Sequence, residues 1–283
     1  MYEIVLKETL ASVEGTTTTH MVIKAPDVAR VCKPGQFVII RVNETGERIP
    51  LTVADFNREK GEVTIVFQEV GKSTKLLGSL EKGDFVEDFV GPLGKATPAE
   101  KNYGTVVAIG GGCGSAIAYP VARAFKEAGN YLITINGARS MDLLIYRDEM
   151  ESIADEAYVT TDDGTCGTHG FVTNVLGDLI QAGRQIDIVF AVGPVPMMKF
   201  VAKTTEGKGI HTIVSLNSIM VDGTGMCGAC RVNVGGQMKF SCVDGPEFDG
   251  HQVDFDELMA RLGAYRDKEA ISNEKWAQEH GGK

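Results

Sequence analysis

Long apolar runs are missing from this chain, since none reaches the roughly 18 residues that would span a bilayer. Clustered basic residues are missing too. Lys and Arg number 28 against 38 Asp and Glu, a formal net charge of -10 at pH 7. Nothing gathers the cations into the patch that phosphate binding needs, so a nucleic-acid surface is excluded. The first residues, MYEIVLKETL, alternate like a strand and lack the basic-then-apolar order of a leader, so the cytoplasm is the expected compartment. Internal repeats and low-complexity tracts are absent. Evenly spread cysteines, the mark of disulfide staples, are absent as well: of six, Cys32, Cys113 and Cys166 stand alone, while Cys227, Cys230 and Cys242 share one short window. In a reducing compartment that window is a ligand set rather than a bridge.

What is present is the composition of a folded protein, 283 residues with 43% hydrophobic and 23% charged, enough for two or three domains. Three rhythms follow one another. From Tyr2 to about Ala96, short β-type runs such as HMVIKA, QFVIIRV and EVTIVFQ alternate with turn signals, which predicts an antiparallel β-barrel. After Tyr103 the chain reads strand, glycine cluster, helix, strand: TVVAIG, then SAIAYPVARAFKEAG, then YLITING. This alternation continues through AYVTT, FVTNVLGDLI, DIVFAV and HTIVSL, and predicts a parallel sheet covered by helices. Beyond Asn217 lies a glycine- and cysteine-rich stretch, then a polar tail in which FDELMARLGAYR reads as one amphipathic helix. The fold class is therefore α/β plus β, with expected domains at 1–98, 99–216 and 217–283.

In the last segment, Asp222-Gly-Thr-Gly-Met-Cys227-Gly-Ala-Cys230 precedes Cys242, and a hairpin turning at Gly235-Gly236 would bring the three thiolates together. The glycines let backbone N–H groups approach sulfur, which points to an iron-sulfur cluster; a tetrahedral zinc site fits the same spacing. Asp222 stands where plant-type ferredoxin spacing has its first cysteine. It is either the fourth ligand or the first residue of an Asp-Gly turn, and His251 is a weaker candidate.

In the middle segment, Gly110-Gly111-Gly112-Cys113-Gly114 follows an apolar strand and opens a helix, the setting in which a pyrophosphate approaches helix N–H groups. Ile117 stands at the third fingerprint glycine, and the next strand ends NGARS without an acid, which disfavours a standard Rossmann dehydrogenase. Arg139 and Ser140 end that strand, and the loops at Asp162 and at Gly193-Pro194 each follow another, so all fall on the ligand-binding edge of an open α/β sheet. In the first segment, Arg48-Ile-Pro50-Leu51-Thr52 offers a cation beside barrel strands. Gly71-Lys-Ser73-Thr74 offers N–H and hydroxyl donors at a helix start. The five scattered histidines suggest no catalytic triad.

Pro34-Gly35-Gln36-Phe37, Arg48 to Thr52, Gly91-Pro92-Leu93-Gly94, the Gly110 loop and Gly193 to Met198 occur in the order of the ferredoxin reductase superfamily, which the chain resembles over nearly its whole length. With the cysteine lobe last, it is similar to the branch of dihydroorotate dehydrogenase electron-transfer subunits and, more closely, to small subunits of NADH-dependent reduced ferredoxin:NADP oxidoreductase. The transhydrogenase subunits have Asp at position 222, where the dihydroorotate-linked ones have Cys.

The resemblance implies FAD along Arg48, Pro50, Leu51 and Thr52, with Gly71, Ser73 and Thr74 at its pyrophosphate and Gly91 and Gly94 beside it. It implies NAD(H), with NADP(H) open, against Gly111, Gly112, Gly114, Arg139, Asp162, Gly193 and Pro194. A [2Fe-2S] cluster would sit on Asp222, Cys227, Cys230 and Cys242. The implied activity is electron exchange with a larger flavin and iron-sulfur subunit, ferredoxin being reached through that partner, with no general base. The alternatives are the dihydroorotate dehydrogenase subunit, a zinc-stabilised nucleotide-binding protein and an oxygenase reductase component.

Overall fold

In a computed structural model that describes residues 1–13 and 15–280, the three rhythms become three packed units. The first holds β1 (Tyr2–Val13), β2 (Thr16–Lys24), β3 (Phe37–Arg41), β4 (Arg48–Asn57), β5 (Glu62–Gln68), β6 (Phe85–Val86) and β7 (Asp88–Leu93), with short helices α1 (Pro26–Val31) and α2 (Lys72–Gly78). All strand pairs are antiparallel, in the order β6-β1-β2-β5-β4-β3-β7. Glu87 alone separates β6 from β7, so the chain itself carries one sheet edge to the other and the barrel is nearly closed. Near-closure leaves little strand edge exposed to stray pairing. The interior is filled by inward residues including Ile4, Met21, Ile23, Val38, Ile40, Ile65 and Phe67.

The second unit is a parallel sheet of β8 (Thr105–Gly111), β9 (Tyr131–Ala138), β10 (Glu156–Thr161), β11 (Thr168–His169), β12 (Ile188–Val192) and β13 (His211–Ser215). Its central strands β8 and β12 are near-continuous apolar runs because both faces are covered there. Helices α3 (Gly114–Glu127) and α4 (Arg147–Ile153) pack on one face, α5 (Val172–Gln181) and α6 (Val195–Thr205) on the other. β8 pairs with β9 on one side and β12 on the other, so the strand order reverses there. Ligands bind at such a switch point.

The third segment contains β14 (Arg231–Val234) and β15 (Gln237–Phe240), joined by Gly235 and Gly236, whose φ values of 61° and 74° make the two-residue turn that the sequence predicts. Then come α7 (Ser241–Asp244), β16 (Glu247–Asp249), α8 (Phe255–Leu262) and α9 (Arg266–His280). β16 pairs antiparallel with β13 and so extends the parallel sheet. The tail departs from the single amphipathic helix expected: α8 ends ahead of Gly263, and α9 occupies the stretch read as polar tail. α9 buries no residue, so it has no apolar stripe to signal it.

Barrel and sheet are fastened by Arg123 of α3, which donates to both carboxylate oxygens of Asp55 on β4 at 2.6 and 3.2 Å. Among the described residues, no helix is long and apolar enough to cross a membrane.

Candidate functional site: a cofactor cleft beside a cysteine loop

A cavity of about 940 Å³ opens between the barrel and the carboxyl ends of the parallel strands. That is the upper range for small-molecule sites. Its barrel wall is Pro50, Leu51 and Thr52 of β4, Val66 to Gln68 of β5, and Val70 and Thr74 around the start of α2. Its opposite wall is made where strands end, with Gly111 closing β8, Ala138 closing β9 and Arg139 after it, Asp162 after β10, and Gly193 and Pro194 after β12. Gly112 and Gly114 line it as well. At Gly114 a Cβ would lie 2.3 Å from the Val192 carbonyl oxygen, so only glycine lets α3 start this close to β12. A Cβ on Gly112 would meet nothing within 4 Å, which leaves its backbone open to the cleft.

The structure thus gathers Pro50, Leu51, Thr52, Thr74, Gly111, Gly112, Gly114, Arg139, Asp162, Gly193 and Pro194 around one space. Five other positions expected at cofactors lie off the cavity lining. Arg48 donates to the carbonyls of Val221 at 3.1 Å and Asp222 at 3.2 Å. Ser73 donates to Glu47 at 2.6 Å. Gly71 gives its N–H to the Thr74 hydroxyl at 3.1 Å, which fixes the turn into α2. Gly91 lies against Val38, and Gly94 against Phe37 and Pro246.

The cleft also has members that motif reading does not find: Val66, Met220 and Pro246, and the aromatics Phe171 and Phe200, which are 61% and 56% exposed. Large exposed rings on a concave apolar wall are a signal for ligand contact. Cys113 faces the cleft, but its thiol points to the Val66 carbonyl at 3.6 Å and burial pushes it up to about 12. It stays protonated and is no nucleophile at neutral pH.

Next to the cleft, no helix or strand lies between Ser215 and Arg231, the stretch that carries Asp222, Cys227 and Cys230. Gly223, with φ of 84°, presses this loop onto the barrel: a Cβ there would be 2.8 Å from Ile39 and 2.9 Å from Leu93. Cys230 and Cys242 are both 2% exposed, with sulfurs 3.1 Å apart and unbridged, in a cluster with Phe37, Ile39 and Met220. Burial, with Cys230 alongside, pushes the Cys242 thiol up to about 12.

Cys227 is exposed, and the N–H groups of Ala229 and Asp222 hold its thiol below the usual range. The Asp222 carboxylate accepts from the hydroxyl and the N–H of Thr224, which pull it below the usual carboxylate range. Among the described residues, no three potential ligands are drawn together. Two of the four expected ligands, Cys230 and Cys242, are side by side. The other two, Asp222 and Cys227, lie on the irregular stretch that leads into Cys230. An unbridged buried thiol pair and glycines that remove side chains from the approach fit an iron-sulfur centre.

Phe37 and Met220 line the cleft and belong to the same buried cluster as the thiol pair, so the two sites share a wall.

The iron-sulfur cluster binding domain of dihydroorotate dehydrogenase B matches residues 217–254. A Thermotoga maritima homologue of the dihydroorotate dehydrogenase B (NAD(+)) electron transfer subunit is 52% identical over 259 residues, 92% of this chain and 91% of its own. The Fusobacterium nucleatum subunit of that name is 33% identical over 247 residues, 84% of this chain and 93% of its own. Among solved structures, one of NADH-dependent reduced ferredoxin-NADP oxidoreductase, studied for flavin-based electron bifurcation, contains a chain that superposes with a TM-score of 0.91. That chain is 49% identical, and the match covers 98% of each.

Proposed function

Because the chain belongs to the family of dihydroorotate dehydrogenase B electron-transfer subunits and their homologues, we propose that it is an FAD and [2Fe-2S] electron-transfer subunit, exchanging electrons between NAD(H) and a larger flavin and iron-sulfur partner. The observation that carries this reading is the shared wall of Phe37 and Met220, which sets the cofactor cleft and the buried thiol pair back to back. That shared wall is the layer of side chains that electrons would have to cross between groups bound at the two sites.

The flavin supplies the conversion between a hydride and single electrons. The chain's own residues position and seclude. Pro50, Leu51 and Thr52 offer an apolar strip with one hydroxyl for the flavin, and the Thr74 hydroxyl would serve its phosphates. Arg139 and Asp162 offer a cation and an acceptor to the nicotinamide cofactor at the strand ends, and the Gly112 backbone leaves room for its pyrophosphate. Apolar walls exclude water, and no side chain is needed as a general base. Cys227, Cys230, Cys242 and Asp222 would hold the cluster. We place the protein in the cytoplasm, where its thiols stay reduced.

The transhydrogenase form of this activity is preferred, on Asp222 and on the 49% identity and TM-score of 0.91 with the ferredoxin-NADP oxidoreductase chain. An electron-transfer subunit of a dihydroorotate dehydrogenase is the second reading, favoured by the names of the sequence relatives. Gene neighbourhood separates them. The site itself is tested by an anaerobic visible spectrum of the purified chain with iron, zinc and FAD quantified. About two irons and one FAD per chain are expected; a colourless zinc protein would overturn the assignment. Asp222→Ala is expected to destabilise the cluster while FAD stays, and a fully loaded, spectroscopically unchanged cluster would remove Asp222 from the ligand set.

A further inference from the structure

Four carbonyls of the cysteine loop are held by arginines from three different elements. Arg48, which opens β4 of the barrel, donates to Val221 at 3.1 Å and Asp222 at 3.2 Å. Arg231, which opens β14, donates to Gly228 at 3.1 Å. Arg261, in the last turn of α8, donates to Ala229 at 3.0 Å. In a trans peptide the carbonyl and the following N–H point in opposite directions. An arginine held on each of these carbonyls therefore fixes the N–H groups of Asp222, Gly223, Ala229 and Cys230 on the side away from that arginine.

We propose that Arg48, Arg231 and Arg261 are positioning residues that form a guanidinium clamp around the iron-sulfur loop. They turn its amides toward the ligand sulfurs and place permanent positive charge beside the cluster, and so raise its reduction potential. The inference rests on the iron-sulfur reading and deepens it.

Hydrogen bonds to sulfur and nearby charge are both levers on such a potential, since each favours the more negative, reduced cluster. Arginine suits the task because it stays charged at all relevant pH and its fork can grip two carbonyls at once, as Arg48 does. Arg48 also joins the flavin barrel directly to the loop. The residue that resembles a flavin-phosphate ligand in sequence thereby becomes the tie between the two redox sites.

The test uses the full chain with its cofactors, as wild type and as Arg48→Ala, Arg261→Ala and Arg48→Lys. FAD and iron per chain are measured first, then the cluster midpoint potential by EPR-monitored titration. FAD content is expected to match wild type. At the wild-type midpoint, the reduced-to-oxidised ratio of each alanine variant is expected to fall about tenfold, a shift of ~59 mV for one electron. Arg48→Lys, which keeps the charge and loses the fork, should recover part of it.

A merely structural tie would lower stability and leave the potential in place, so unchanged midpoints in both alanine variants overturn the clamp. Loss of FAD from Arg48→Ala with an unchanged midpoint also overturns it and returns Arg48 to the flavin. Should an alanine variant hold no iron, Arg48→Lys and Arg261→Lys decide: a more negative midpoint supports the clamp and a wild-type midpoint sinks it. A wild-type chain without iron contradicts the underlying reading instead.

Discussion

The cleft and the cysteine loop, though they share Phe37 and Met220, are built in opposite ways. The cleft is walled by strands and strand ends that two sheets hold in place, so its shape exists before any ligand arrives. The loop has no regular structure between Ser215 and Arg231, and it is held from outside through its carbonyls. A site on regular elements is preorganised by the fold, whereas a site on an irregular loop depends on its supports and on the group it binds.

The sharpest way to break this comparison is Cys230→Ser. If the loop depends on its cluster and the cleft does not, iron should fall to near zero while FAD and NADH binding persist, as measured by iron content and flavin absorbance. Loss of FAD along with iron would mean that the sites are one structural unit.

Gly114→Val attacks the other side. A Cβ 2.3 Å from the Val192 carbonyl must push α3 off β12, at a cost of about 3 kcal/mol in denaturant unfolding, with NADH binding lost. The cluster's EPR signal should remain.

The smallest effect expected is at Glu247, where barrel, linker and sheet edge meet: it pairs in β16 with β13, accepts from Thr97 at 2.6 Å and crowds Gly35. Burial pushes its carboxyl up from 4.5 to about 7. The unfolded chain releases this proton near the lower value and the folded chain near the higher. Stability should therefore fall as pH rises through that window and level off above it. Glu247→Gln should flatten the decline and add on the order of 2 kcal/mol at pH 8 in thermal or denaturant unfolding, without moving either cofactor.

Sequence legibility follows the same division. The glycine cluster between an apolar strand and a helix marks one wall of the cleft, because strand-loop-helix order alone fixes which edge a loop occupies. Gly235-Gly236 likewise marks the hairpin, because both positions need positive φ. The destination of Arg48 is not legible. Its carbonyl partners lie 173 and 174 residues away, and alternation along β4 does not say what covers that end of the strand. β16 is three residues long and is defined only by pairing with β13, and α9 has no apolar face to announce it. The wall shared by Phe37 and Met220 is a tertiary fact of the same kind.

The central claim is that electrons pass from the nicotinamide cofactor through the cleft to the cysteine loop. An anaerobic NADH titration of the loaded chain, with flavin followed by absorbance and the cluster by EPR, tests it most directly. Flavin bleaching accompanied by a reduced-cluster signal is the predicted result. Bleached flavin with a cluster that stays oxidised, although a chemical reductant can reduce it in the same sample, would contradict the account.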